Sequence, residues 1–195
     1  MLYSIIEFAE LESTAYNKSK KENRMPPKPE SPLGTGIHFS VNYEVKGYLL
    51  DTVQASALIG GVSTMVKKVA SVHDKFVATC TIVMGELAFG AYNSRHRTEN
   101  LNNLNRLSKQ IVVLPVEVEV SNIYGMIKHA LLERYGPRNK KAREKFSIAC
   151  DLGISDNDIW IAAVALYYRL IVVTNDDTDF SRIRAVTGLP IERWN

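Results

Sequence analysis

The chain has 195 residues, of which 46% are hydrophobic and 23% are charged, and its formal net charge is +3. These values are typical of one soluble globular domain with some chain to spare, because a single core is usually built from about 100 to 150 residues. No apolar stretch reaches the roughly 18 residues that a membrane helix needs. Glutamates interrupt the apolar N-terminus, which argues against a signal peptide. Two cysteines without partners at metal-ligand spacing argue against zinc and favour a reducing compartment, so we expect a cytoplasmic protein.

Residues 1–45 are predicted to form an N-terminal extension. Apolar residues at helical spacing predict a short amphipathic helix at Leu2–Leu11. The proline- and lysine-rich residues 17–36 lack the apolar side chains to bury a core and are predicted to be a linker. Residues 37–45, IHFSVNYEV, alternate apolar and polar side chains, as a half-exposed strand does. We expect the extension to associate with another subunit or a partner; the alternative is a disordered leader or an over-extended gene start.

From residue 46 to residue 195 the chain alternates short apolar strands with helical segments. Strands are predicted at GYLLD, KFVAT, IVVLP, LIVVT and the terminal PIERW. Helices are predicted at residues 56–72, 81–93, 100–110 and 156–170, with two more between residues 118 and 151, divided at Tyr135-Gly136-Pro137. This alternation predicts βαβ units and an α/β fold with a mainly parallel sheet.

Acidic residues lie where the predicted strands end. Asp51 ends GYLLD, Asp176 follows closely on LIVVT, and Asp158 begins the helix that precedes LIVVT. In an open parallel sheet the connecting loops and helix N-termini converge at the carboxyl ends of the strands. We therefore expect these three side chains to lie at one edge of the sheet.

A fourth acid, Glu86, lies within the predicted helix of residues 81–93. Its neighbours three and four residues away are Ile82, Val83, Phe89 and Gly90. A carboxylate that shares a helix face with such residues is costly to bury unless a cation meets it. Together with the other acids, Glu86 predicts a site for a hard divalent cation such as Mg²⁺ or Mn²⁺.

Each of these acids also has a purely structural interpretation. Ser155 and Asp158 match a capping box, which needs no ligand. Asn175-Asp176-Asp177 matches an ordinary turn, and an aspartate at a strand end, such as Asp51, is common. The coincidence of all these acids at one predicted edge favours the metal site.

The acidic motifs resemble those of the PIN-domain ribonucleases, and among them the VapC-type toxins of prokaryotic toxin-antitoxin systems. YLLDT is similar to the family's opening strand with its first acid, and VMGELAFGA contains the second. SDNDIWIAAVAL is similar to the third motif and VVTNDDTDF to the fourth. One position departs from the family pattern, since Val53 stands where the family commonly has Asn. The resemblance runs from about Tyr48 to Trp194 and implies a PIN-like (Rossmann-like) three-layer sandwich over residues 46–195.

The resemblance implies metal-dependent cleavage of single-stranded RNA. Asp51 and Asp158 are the expected principal ligands of Mg²⁺ or Mn²⁺, with Glu86 and Asp176 completing the site directly or through water. Clustered carboxylates repel one another and stay ionised together when metal neutralises them. Bound metal would also acidify the attacking water.

Weaker supporting roles are expected for Thr174 and Asp179, which would orient the metal ligands by hydrogen bonds. A local turn or cap role is the alternative for both. The densest basic run is predicted to follow an RNA backbone or to meet an acidic partner, and the alternative is a solvated helix face. It consists of Arg134, Arg138, Lys140, Lys141, Arg143 and Lys145.

The function that these features favour is a toxin-type endoribonuclease with an RNA substrate, a cognate antitoxin protein and a homodimeric state, and without a membrane partner. One alternative is a PIN-fold nuclease of routine RNA processing. Another is a non-catalytic PIN-like binding module, which ranks lower because the chain keeps all the expected carboxylates. A receiver-like domain ranks lower still, because acids follow LIVVT where that fold has a lysine.

Overall fold

The computed structural model describes residues 44–175 and 177–194, with the side chain of residue 177 left out. The predicted helix at Leu2–Leu11, the linker and residues 37–43 of the predicted strand lie outside the described residues. Glu44 and Val45, the last two residues of that predicted strand, are described and are not part of a strand.

Parallel strands form the central sheet of the described domain. They are β1 Gly47–Leu50, β2 Phe76–Cys80, β3 Val112–Leu114, β4 Leu170–Val173 and β5 Ile191–Glu192. They form one five-stranded sheet in the order β3-β2-β1-β4-β5, and every neighbouring pair is parallel. The predicted α/β fold and its strands are confirmed.

Helices connect successive strands in the same part of the chain. They are α1 Thr52–Ile59, α2 Ser63–Ser71, α3 Thr81–Tyr92, α4 Arg97–Gln110, α5 Val118–Tyr135, α6 Lys140–Arg143, α7 Ile148–Leu152, α8 Asp156–Tyr168 and α9 Asp177–Thr187. Contacts join α1 with α3 and α4, and they join α5 with α8 and α9.

Two helical predictions differ from the structure. The predicted helix of residues 56–72 is divided into α1 and α2 at Gly60 and Gly61, where Gly61 adopts a positive φ of 66° that favours glycine. The segment after Tyr135 forms the two short helices α6 and α7 rather than one helix.

Helix α9 was missed by the sequence analysis. Its apolar spacing is visible in the sequence, because Phe180, Ile183 and Thr187 recur at intervals of three and four residues, and all three are buried. The helix follows directly on the turn-forming residues after LIVVT, which favoured a turn there. A short helix of this kind is easily hidden by the turn signal that precedes it.

Both faces of the sheet are covered. Leu49 and Leu50 are consecutive residues of β1, so their side chains point to opposite faces, and both are 0% exposed. Helix α8 is buried continuously from Ile161 to Tyr168 and packs against α5 and β4. Strand β1 is buried on both faces and α8 is buried on nearly all sides. This is why GYLLD and DNDIWIAAVALYY consist largely of apolar residues.

Strand β1 occupies the centre of the sheet, between β2 and β4. A Cβ atom added at Gly47 would lie 2.0 Å from the backbone oxygen of Phe76, so β1 begins in very close approach to β2. Both hydrogen-bonding sides of β1 are used, and the preceding strand predicted at residues 37–45 therefore has no place beside it.

Two further findings bear on the composition. Both cysteines are free thiols, and Cys80 is buried whereas Cys150 is exposed. Within the part of the chain that the structure describes, no helix is long and apolar enough to cross a membrane.

Candidate active site

Asp51 lies at the carboxyl end of the central strand. Its backbone N–H donates to the carbonyl of Val173 at the end of β4, over 3.1 Å. Its side chain is 5% exposed and caps α1, since Oδ1 accepts a hydrogen bond of 2.8 Å from the backbone N–H of Gln54. This backbone pairing and this cap hold the Asp51 carboxylate at the edge where β1 and β4 end.

Glu86 of α3 is hydrogen-bonded to residues next to Asp51 and Asp158, the two other predicted metal ligands that the structure describes. Its Oε1 accepts a hydrogen bond of 2.6 Å from the side-chain amide of Asn157, and its Oε2 accepts one from the hydroxyl of Thr52. Thr52 directly follows Asp51, and Asn157 directly precedes Asp158. The carboxylate of α3 is thus bonded to the residue beside each of the other two acids.

The surroundings of Glu86 differ from those that the sequence suggested. Val83 is buried, but Phe89 is 73% exposed and Gly90 is exposed as well. Glu86 itself is half-buried and lines a surface cleft. Its apolar neighbours in sequence therefore border an opening of the molecule rather than enclose the carboxylate in the core.

Asp158 lies in the first turn of α8 and takes part in the cap of that helix. The Ser155 hydroxyl accepts from the Asp158 backbone N–H over 3.0 Å and donates to the Asp158 Oδ2 over 2.6 Å. The cap interpretation of this pair is therefore correct. It does not exclude a second role, because the same first turn places Asn157 against Glu86.

Asp156, two residues before Asp158, is engaged by another helix. Its Oδ1 accepts hydrogen bonds from the Tyr124 hydroxyl over 2.8 Å and from Lys128 Nζ over 2.9 Å. The hydrogen bond from Lys128 holds the pKa of the Asp156 carboxyl below its usual range, with a smaller contribution from Tyr124. Asp156 therefore bonds to α5, whereas Asp158 bonds to Ser155 at the start of its own helix.

The remaining predicted site residues follow β4. Thr174 is fully buried, and its backbone N–H donates to the carbonyl of Glu192 over 3.1 Å. Asp179 is half-buried in the first turn of α9. Asp176, the fourth predicted carboxylate, lies outside the described residues.

The described carboxylates are the candidate ligands of a metal ion. Among residues 44–175 and 177–194, no three acidic, histidine or cysteine side chains are grouped closely enough to hold a metal ion. The chemistry of the donor set nevertheless fits a hard divalent cation, because Asp51, Glu86 and Asp158 all provide carboxylate oxygens. The assignment of these ligands remains a prediction.

A cleft of about 480 Å³ opens beside Glu86, between α1, α3 and α4. The sequence interpretation missed this cleft, and it also missed the hydrogen-bonding roles of Thr52 and Asn157. Both residues are adjacent to a predicted acid in YLLDT and SDNDI. Their position was therefore visible, but their orientation toward Glu86 depends on how the helices pack.

The basic run is partly engaged within the molecule. Arg143 pairs with Glu133, and Arg134 donates to the carbonyl of Ala185 over 3.2 Å. Lys140, Lys141 and Lys145 are exposed on or near the short helix α6. Arg134 and Arg143 thus have partners within the molecule, whereas the three exposed lysines form a basic surface.

The described residues form a parallel α/β domain with candidate metal-binding carboxylates near the carboxyl edge of its sheet and a cleft beside Glu86. The model of the PIN domain family matches residues 48–186. The chain therefore belongs to the PIN domain family, and the resemblance inferred from the acidic motifs is confirmed at this level.

Solved structures of toxin-antitoxin complexes share this fold. A chain of VapBC2 from Rickettsia felis, bound to a promoter DNA fragment, is 21% identical with a TM-score of 0.62, covering 76% of this chain and 99% of that one. For DNA-bound VapBC from Salmonella typhimurium, the identity is 22%, the TM-score 0.61 and the coverages 78% and 100%. For VapBC-5 of the VapBC family of toxin-antitoxin systems, from Mycobacterium tuberculosis, the identity is 26%, the TM-score 0.52 and the coverages 76% and 98%. No curated protein matched the sequence significantly.

Proposed function

We propose that the protein is a metal-dependent endoribonuclease that cleaves single-stranded RNA, and that it is the toxin of a toxin-antitoxin pair. The observation that carries this proposal is the pair of hydrogen bonds that Glu86 accepts from Thr52 and Asn157. These bonds tie α3 to the residues adjacent to Asp51 and Asp158. They support a common site for acids that are distant in sequence, at the edge of the sheet where α/β domains bind their ligands.

The proposed chemistry is phosphodiester hydrolysis. Asp51 and Asp158 would hold Mg²⁺ or Mn²⁺, with Glu86 and Asp176 completing the site and Thr174 and Asp179 in support. A bound divalent ion would supply an acidified water and stabilise the charge that develops on the leaving oxygen. Thr52 and Asn157 would orient the Glu86 carboxylate, as hydrogen-bond donors do for metal ligands in general.

The proposed partners are an antitoxin protein and a second copy of the chain. Support for an antitoxin comes from the solved structures with this fold, several of which are VapBC complexes. These complexes favour the toxin over an enzyme of routine RNA processing. The RNA substrate would be met in the cytoplasm.

Substitution of the acids by amides tests the proposal. Purified protein, freed of any bound partner, is expected to cut single-stranded RNA with Mg²⁺ or Mn²⁺ and to stop when the metal is chelated. Asp51→Asn should keep the cap of α1, because Asn caps a helix about as well as Asp, while it removes the charge. We expect both Asp51→Asn and Asp158→Asn to lower the cleavage rate by more than about 100-fold, since even the partners of metal ligands contribute 10- to 100-fold.

The matched control is Asp74→Asn. Asp74 has a side chain that is 64% exposed, pairs with Lys75 over 3.6 Å and precedes β2, so it lies at the opposite edge of the sheet from Asp51. Its replacement should leave cleavage unchanged. Full activity of both Asp51→Asn and Asp158→Asn, or cleavage that persists after chelation, would refute the proposed site.

A further inference from the structure

The cleft beside Glu86 combines apolar walls with a few polar groups. Val53 of α1, Leu87 of α3 and Leu104 of α4 contribute apolar surface, whereas Ser56 of α1 and Asn100 of α4 contribute a hydroxyl and an amide. Its volume of about 480 Å³ lies within the range of small-molecule sites, roughly 300 to 1,000 Å³. Such a lining suits a flat ligand that has apolar faces and polar edges.

The cleft is continuous with the proposed catalytic site. Glu86 forms part of its wall and accepts the hydrogen bonds from Thr52 and Asn157. Thr52 lines the cleft as well. A ligand that occupies the cleft therefore lies directly beside the Glu86 carboxylate, one of the proposed metal ligands.

Basic residues lie at the turn between α3 and α4, the two helices that form one side of the cleft. Arg95, His96 and Arg97 are all exposed there. The Arg97 Nε donates to the carbonyl of Tyr92 over 2.9 Å, which holds this arginine against the end of α3. Cationic groups near an apolar cleft favour an anionic chain with apolar bases over a purely apolar peptide.

We propose that this cleft binds one unstacked base of the RNA next to the scissile phosphate, and that Asn100 and Ser56 determine which base is accepted. This inference rests on the proposed function. Single-stranded RNA is generally recognised by bases that are turned out of the stack and hydrogen-bonded at their edges. An asparagine amide both donates and accepts, so Asn100 can pair with a base edge, and the Ser56 hydroxyl can do the same.

The test maps cleavage sites in a pool of random-sequence RNA. Wild-type protein with Mn²⁺ should show a base preference at one position beside the cut. Asn100→Ala and Ser56→Ala should each weaken that preference, by about 10-fold for a lost edge contact, which lies within the discrimination that such contacts provide. Asn100→Asp keeps an acceptor and loses the donors, so it should change which base is preferred rather than merely flatten the profile.

Neighbouring asparagines of α4 provide the controls. Asn102 and Asn105 are exposed and do not line the cleft, so Asn102→Ala and Asn105→Ala should retain the wild-type profile. The preference is a ratio within one RNA pool, so a variant that is merely less active still gives a result. The affinity for Mn²⁺ alone should be the same in the wild type and in Asn100→Ala.

The outcomes separate this inference from the proposed function. If the wild type does not cut RNA, the proposed function fails and the base site fails with it. If the wild type cuts without a preference, or if Asn100→Ala and Asn100→Asp keep its profile, the base site is refuted while the nuclease stands. An effect of Asn100→Ala on antitoxin affinity alone would make the cleft a protein-docking site and would equally refute the inference.

Discussion

Tyr168 is a residue of the described core whose buried hydroxyl lacks a hydrogen-bond partner. It lies at the end of α8 and is 1% exposed, and within the described part of the chain its hydroxyl has no hydrogen-bond partner. A buried hydroxyl without a partner destabilises the folded state by about 1 to 3 kcal/mol. Burial, with a smaller effect of the Glu117 charge, raises the pKa of Tyr168 to about 12.

Tyr168→Phe is therefore expected to increase the free energy of unfolding by about 1 kcal/mol at neutral pH. The wild type should lose further stability as the pH rises above the ordinary tyrosine pKa of about 10, because the unfolded chain then ionises before the folded one does. The gain of the variant over the wild type should thus grow between about pH 10 and the folded-state pKa of about 12.

Urea denaturation at several pH values measures this difference. Tyr92→Phe, at a tyrosine that is 57% exposed at the end of α3, is the control and should not increase the free energy of unfolding, because its side chain is open to solvent. If the two variants change the free energy of unfolding equally, the buried Tyr168 hydroxyl does not destabilise the folded state.

Helix α5 holds the first turn of α8 in place through side-chain contacts. Besides the hydrogen bonds to Asp156, the ring of Tyr124 stacks on Trp160, with the centroids 3.9 Å apart and an interplanar angle of 10°. Lys128 Nζ also donates to the Tyr124 hydroxyl over 3.0 Å. These contacts fix the turn that presents Asn157 and Asp158 toward the site.

Lys128→Met should have a small effect on stability and a larger one on catalysis. The Lys128–Asp156 pair has side chains that are 37% and 60% exposed, and such pairs contribute less than about 1 kcal/mol. We expect the cleavage rate to fall by about 10-fold, as for other residues that orient metal ligands. The measurement compares the urea midpoint with the single-turnover cleavage rate.

Glu133→Gln is the matched control for this change. It breaks an ion pair of similar exposure, 30% and 54%, between Arg143 and Glu133 of the same helix α5, and this pair joins α5 to α6 rather than to α8. Its loss should leave the cleavage rate unchanged. The anchoring role of Lys128 is wrong if both variants slow cleavage equally.

The sheet determines at which of its edges the described domain begins. The Lys46 backbone N–H donates to the carbonyl of Arg169 over 3.0 Å, so the chain enters at the amino edge of β1, opposite Asp51. The carboxylates lie at the other edge. The described domain therefore begins at the edge of the sheet away from the candidate carboxylates.

Deletion of residues 1–45 is therefore expected to leave RNA cleavage by the isolated protein unchanged and to weaken association with a second subunit or with the antitoxin. Mass in solution and inhibition by the antitoxin measure the two kinds of association. If assembly and inhibition are both unchanged by the deletion, the extension has no role in association.

Much of the fold was predictable because it depends on local patterns. Parallel strands that are buried on both faces have to be short and apolar, and GYLLD, KFVAT and LIVVT show this directly. Acids at strand ends and helix starts were likewise visible, and their motifs resemble those of the PIN domain family, to which the chain belongs. Helix α9 shows the limit of this approach, since its apolar face is short and follows a cluster of turn-forming residues.

The strands, most helices and the candidate carboxylates of this protein could be predicted from its sequence, because these depend on patterns among near neighbours along the chain. That Asp156 bonds to α5 and that Glu86 faces a cleft instead of the core became clear from the tertiary structure. Those outcomes depend on which helices pack together. The period of a helix shows which of its residues share a face. Residues far away in the chain determine which element packs against that face.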